Sequence, residues 1–295
     1  MPKPAVTNAN LQSNDNPDDD TKRIIFGELL RFWREIRGFS QESLAFEASS
    51  STRHISRMEN GKAMPSFAMI ENLARVMELG NRDAAYLFLA AGHVPPAEPV
   101  AFEDSKYRWL RKAMTRTLRA LDPNPSVLMD SFGTILMVNE AWASFCFDSM
   151  VDLSGGMAAI TNYHDFLFTC QSFKDAQDLR MNSLSLILMA IKQESVLTGD
   201  VRYEALLERL MAYPEVPFGW KQRAANLEPM SSYRVQFEQN SQLVRYYNVS
   251  QSVSAMGPVS FVAEPRLIIT TLFAEDEGRE PVLPKIIPEH PLLYT

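Results

Sequence analysis

The stretch from Ser40 to Lys62, SQESLAFEASSSTRHISRMENGK, limits what this chain can fold into more than any other part of it. Ser40 is a good N-cap, and the helix it opens, Gln41 to Ala48, turns Leu44 and Ala45 inward. Three serines, Ser49–Ser51, then permit a tight turn, and a further helix runs from Thr52 to about Asn60 before Gly61 stops it. Ala45, Ile55 and Met58 supply the contacts that would fix the crossing angle. Thr52, Arg53, Ser56 and Arg57 fall on the opposite side of the second helix. Two short capped helices joined in this way read as a helix-turn-helix.

The flanks extend the same grammar. Residues 1–20 are rich in Asn, Asp and Pro and are expected to form a disordered tail. Between residues 21 and 93 the pattern predicts five helices. In the first, Ile25, Leu29, Phe32, Trp33 and Ile36 share a face; Ser66 caps the fourth, and Asn81-Arg82-Asp83 opens the fifth. The Pro-rich segment His93–Pro99 marks a boundary. Residues 94–122 then read as a linker and an amphipathic helix, Phe102 to Leu121. Its stripe of Tyr107, Leu110, Met114, Leu118 and Leu121 would pack onto one domain, or its cations would contact phosphate.

From Pro123 the pattern becomes mixed. Val127–Asp130, a turn at Ser131–Gly133 and Thr134–Asn139 predict a β-hairpin. A helix from Glu140 to Phe147 and helical patterns over 163–225 follow. Strands are expected at 233–238, 243–249, 259–262 and 267–273. Residues 123–276 therefore predict an α+β domain, with a helical insertion and an antiparallel sheet closed by both ends of the sequence. The tail, 277–295, is Pro-rich and expected to be irregular.

Composition restricts the function classes. Of 295 residues, 46% are hydrophobic and 22% charged, which excludes a chain disordered throughout, a collagen or a simple coiled coil. No stretch approaches a membrane span, and the N-terminus has no apolar core behind its early Lys3, so a cytoplasmic protein without a secretory signal is expected. Two cysteines are too few for a disulfide framework. Net charge is −7, yet residues 21–62 hold eight basic and five acidic side chains, a locally basic segment on an acidic body. The four histidines lack metal-ligand spacing, and no nucleophile elbow, Walker loop or dinucleotide fingerprint is present. His164-Asp165 near Cys170 reads as core, so the chain is expected to be no enzyme, with no metal and no required cofactor.

Ser40-Gln41, Leu44-Ala45, Ser51, Ile55-Ser56 and Glu59-Asn60-Gly61-Lys62 together make the first segment resemble the helix-turn-helix of the phage-repressor/Cro, or XRE, family. The resemblance covers residues 24–93 and implies double-stranded DNA as the partner, bound by a homodimer on a two-fold-related operator. It implies phosphate contacts from Gln41 and Ser51 at helix N-termini, base reading by Thr52, Arg53, Ser56 and Arg57, and phosphate anchoring by Asn60 and Lys62. Arg34 and Glu59 match a structural ion pair of the family. One departure is Ser49, where the family usually has a left-handed Gly; a Ser there costs roughly 1 kcal/mol.

The stretch PSVLMDSFGTILMVNEAWASF is similar to the opening of a PAS-type sensor. Asn162–Phe168 and Phe218-Gly219-Trp220 resemble the MmyB-like ligand-binding domain, itself PAS-like, whose H-P-x-x-G signature has only Gly257-Pro258 as a counterpart here. This second resemblance implies an apolar pocket for a small molecule such as a fatty acid. Trp142, Phe145, Phe166, Phe168, Leu188, Met189 and Trp220 are the residues expected to line it, against the alternative that each is ordinary core. Two other readings of this domain remain: a ligand-free dimerisation or protein-interaction module, and a haem or flavin sensor with His164 as the only axial candidate.

Overall fold

A computed structural model describes residues 17–96, 100–149, 160–170, 177–228, 234–239, 242–253, 265–276, 283 and 290–294. The chain divides into two compact units, Met1–Pro95 and Pro96–Thr295. The division falls inside the Pro-rich segment.

The first unit is all helical: α1 (Pro17–Ile36), α2 (Gln41–Glu47), α3 (Thr52–Glu59), α4 (Phe67–Val76) and α5 (Asn81–Ala90). Serines start three of these helices. Ser40, Ser51 and Ser66 accept hydrogen bonds from the backbone N–H groups of Ser43, His54 and Met69, and the Ser40 N–H donates in turn to Ser43 Oγ. Leu44, Ile55, Met58, Ile70 and Leu73 are fully buried between them.

Helix α1 departs from expectation twice. It starts at Pro17, so the last four residues of the expected tail are helical; proline is tolerated at a first helical position, and the acidic residues after it suit the positive end of the helix dipole. Its buried stripe is Phe26 and Leu30, with Trp33 half-buried, rather than the Ile25, Phe32 and Ile36 side, which stays exposed. Gly27 explains the choice. A Cβ there would lie 2.6 Å from the carbonyl oxygen of Met58, so α1 can press against the end of α3 only on its glycine side.

The second unit contains α6 (Arg108–Leu121), β1 (Ser126–Asp130), β2 (Ile135–Val138), α7 (Glu140–Ser149), α8 (Tyr163–Thr169), α9 (Gln177–Thr198), α10 (Val201–Met211), α11 (Trp220–Ala225), β3 (Arg234–Gln239), β4 (Gln242–Val253) and β5 (Leu267–Ala274). The strands form one antiparallel sheet in the order β2-β1-β5-β4-β3, so the N-terminal hairpin pairs with the last strand as expected. Side chains alternate between its faces. Val127, Met129 and Leu272 belong to the core under α7–α11, whereas Leu128, Leu267 and Ile269 pack with Met114 and Leu118 of α6 on the other face. Helix α6 is thus part of this unit. It is shorter than expected because a 3-10 turn, Ser105–Tyr107, precedes it and Arg111 donates back to the carbonyl of Asp104 at 2.9 Å.

Asn139, fully buried, ties the hairpin to α7. Its Oδ1 accepts from Ser126 N and Trp142 N at 2.9 Å each, and its Nδ2 donates to the carbonyl of Asn124. The C-terminal tail is not wholly irregular. Leu293 bridges in parallel to Val138, and the Tyr294 hydroxyl donates to Asp122 Oδ2 at 2.6 Å, which covers the free edge of β2. The strand expected at 259–262, Tyr233 and Gly257-Pro258 lie outside the described residues.

Candidate functional site

Helix α3 presents one apolar and one polar side. Ile55 and Met58 point into the core, while Ser51, Thr52, Arg53, Arg57, Asn60 and Lys62 are exposed and Ser56 is half-buried. The expected DNA-contact residues therefore lie along one surface. Arg53 makes no hydrogen bond or ion pair among the described residues. Arg57 instead donates to the carbonyl of Lys62 at 3.0 Å, and Asn60 Nδ2 closes the helix end on the carbonyl of Ser56 at 2.7 Å. Both side chains thus help to hold the end of α3.

Behind this surface Glu59 has no exposed side-chain area. It accepts from Arg34 Nε at 2.5 Å and from Gln41 Nε2 at 2.7 Å, and Arg31 Nε lies 3.5 Å from its Oε2. Burial alone would raise the Glu59 carboxyl, but the hydrogen bonds from Arg34 and Gln41, with the charges of Arg34 and Arg31, hold it below its ordinary value. The expected Arg34–Glu59 pair is present. The amide of Gln41 is engaged with it, so only the helix-start position of that residue faces outward. Arg31, which also donates to Asn60 Oδ1 at 3.3 Å, belongs to this cluster and escaped sequence reading. Its spacing of three from Arg34 on α1 was the available signal. Ser49 adopts φ 50°, the left-handed turn that the departure from Gly implied.

In the second unit a cavity of about 450 Å³ opens between α8, α9, α11 and the sheet. Tyr163, His164 and Leu167 come from α8 and Leu184, Ile187, Met189 and Ala190 from α9. Ala224, Leu227, Val235 of β3 and Asn248 of β4 complete most of the wall. Of the seven residues expected to line a pocket, Met189 lines this cavity. Trp142, Phe145, Phe166, Phe168, Leu188 and Trp220 are packed into the core beside it. The aromatic rings pack against one another, with Trp142 and Phe166 centroids 5.1 Å apart and Phe145 edge-on to Phe237 at 4.7 Å. This cavity lies where α9 presents medium-sized side chains to the sheet.

The residues that sequence reading missed here are mostly aliphatic side chains of α9 and the sheet, with Asn248 and His164 among the polar ones. Asn248 follows Val244 and Tyr246 at a spacing of two, the inward face of β4, and a polar residue in that phase was the readable signal. His164 is fixed by Asn162, whose Oδ1 accepts from His164 N at 2.9 Å and whose Nδ2 donates to the carbonyl of Phe132. Burial, with Arg209 nearby, holds the His164 imidazole down to about 4, so it is neutral at physiological pH. Cys146 and Cys170 are buried and form no disulfide. Among the described residues no cluster of three or more His, Cys, Asp or Glu could hold a metal ion. No helix among them is long and apolar enough to cross a membrane.

Comparison with known proteins matches residues 25–87 to a helix-turn-helix domain and residues 110–276 to the MmyB-like transcription regulator ligand binding domain. No curated protein matches the chain. Among solved structures, the restriction-modification controller protein C.AhdI from Aeromonas hydrophila is 30% identical over 23% of this chain and 97% of its own, with a TM-score of 0.22. ComR from Streptococcus suis is 16% identical over 68% of this chain and 71% of its own, with a TM-score of 0.20. The second match alone spans more than half of the sequence, and the chain belongs to the family of helix-turn-helix transcription regulators that carry an MmyB-like ligand-binding domain.

Proposed function

We propose that this regulator binds a two-fold-related operator as a homodimer in the cytoplasm, and that a small apolar ligand in its PAS-like domain alters operator affinity. A lipid-like chain, with a fatty acid as the first example, suits the cavity. The observation that carries the reading is the apolar volume of about 450 Å³ inside the domain matched to ligand binding. That volume lies within the range of small-molecule sites. The exposed row of Thr52, Arg53 and Arg57 on α3 supports base reading in the major groove, with Arg53 and Arg57 suited to guanine. In this reading the protein is no enzyme and requires no cofactor.

For the ligand to switch the regulator it must bind the DNA-competent and incompetent arrangements with different affinity. The test is operator affinity by fluorescence anisotropy on a selected binding site, with and without a ligand shown to occupy the cavity. A change of about fivefold or more supports switching. Unchanged affinity with every ligand that demonstrably binds removes it.

A further inference from the structure

Two residues that line the cavity of the second unit each carry a buried polar atom with no hydrogen-bond partner among the described residues, Oδ1 of Asn248 and Nδ1 of His164. Trp142 Nε1 is also unpaired, but it sits within the closed core and does not line the cavity. Buried polar atoms are nearly always hydrogen-bonded, and two exceptions on one cavity wall point to a molecule that supplies the missing bonds. Asn248 Oδ1 can only accept, so its partner must be a donor. The His164 ring lays its Cδ2–Nε2 edge toward Gly133, where a Cβ would meet those atoms at 2.5 and 2.7 Å. Nδ1 is on the opposite edge of the ring. A hydroxyl, which both donates and accepts, suits this nitrogen in either tautomer.

The remaining polar lining is Tyr163, Ser183 and Gln193, and no Lys, Arg, Asp or Glu lines the cavity among the described residues. A carboxylate placed there would be desolvated without a cation and would face a carbonyl oxygen. We infer that the cavity takes an uncharged molecule, apolar along its length and ending in a hydroxyl or a similar donor that hydrogen-bonds to Asn248 Oδ1. This inference rests on the ligand-sensing reading above and specifies its head group. A fatty acid would enter as the undissociated acid. Since less than about 1% of an ordinary carboxyl is undissociated at neutral pH, an alcohol of equal chain length binds better.

The test is calorimetric titration of delipidated full-length protein at neutral pH with decanol and with decanoate. Decanol is expected to bind at least about tenfold more tightly, and Asn248→Leu to weaken decanol binding by about five- to tenfold, the usual effect of removing one buried neutral hydrogen bond. Decanoate binding as tightly as decanol overturns the inference without any variant, as does Asn248→Leu leaving decanol affinity unchanged in a protein of wild-type circular dichroism. No binding of either probe overturns the ligand-sensing reading itself, and the head-group assignment with it.

Discussion

Glu59 and Asn248 are both polar side chains drawn into apolar surroundings, one in each unit, and they are treated in opposite ways. Glu59 has every neighbour it needs, with Arg34 and Gln41 donating to its two oxygens and Arg31 close by. Asn248, in the lining of a cavity, carries a buried oxygen with no hydrogen-bond partner among the described residues. A satisfied buried group fixes one arrangement of the elements that supply its partners. An unsatisfied one beside empty space is set up for a partner from outside. The difference separates the unit whose buried charge is fully paired, behind α3, from the unit that belongs to the ligand-binding family.

The largest effect tests the satisfied side. Glu59→Ala leaves the Arg34 guanidinium, 11% exposed, without its carboxylate, and is expected to cost about 3–5 kcal/mol in urea unfolding. A loss below about 1 kcal/mol would mean that the pair is peripheral to the fold. The same carboxyl sets a pH dependence. Its pKa in the folded protein lies below the unfolded value of 4.5, so its contribution is fully present above pH 4.5 and is lost as pH falls toward the lower folded value. The urea midpoint of the first unit should decline in that acid window, and Glu59→Gln should flatten the decline.

Asn139 is the corresponding satisfied group of the second unit. Asn139→Ala strands the N–H groups of Ser126 and Trp142 and is expected to cost about 2–3 kcal/mol. Thermal unfolding within experimental error of wild type would show that water replaces the amide without loss. On the DNA surface, Arg53→Ala should cost about 1–3 kcal/mol of specific binding and relax one base position, whereas Lys62→Ala should weaken all sequences alike and reduce the salt slope by about 1. Equal losses on operator and random DNA for Arg53→Ala would remove its base-reading role. The smallest effect is a gain: Ser49→Gly relieves the left-handed backbone at φ 50° and should stabilise the first unit by about 1 kcal/mol.

The first unit was the more legible in sequence, because its signals are local. A serine cap, a glycine stop and an inward Ile55 or Met58 are each decided within one helical turn. Even there the buried face of α1 was misassigned. Both faces of that helix are apolar, and only the approach of Gly27 to the Met58 carbonyl, thirty-one positions away, chooses between them. The cavity depended on such distant relations throughout. Trp142, Phe145, Phe166 and Phe168 carry the aromatic bulk that suggests a pocket, yet large rings fill space as readily as they enclose it. The open volume forms where Leu184, Ile187 and Ala190 of α9 meet Val235 and Asn248 of the sheet, a juxtaposition made by tertiary packing and absent from any single window. The fold of the tail was hidden for the same reason, since Tyr294 reaches Asp122 across most of the domain sequence.

Native mass spectrometry of the purified full-length protein, followed by denaturing extraction, would show whether the second unit holds a ligand. An excess mass is expected on each protomer, released as an uncharged or undissociated lipid-like molecule and absent from Ala224→Phe, which fills the cavity from α11. A wild-type protein that carries no adduct, and binds none when lipid extract is supplied, would contradict the receptor role assigned to the second unit.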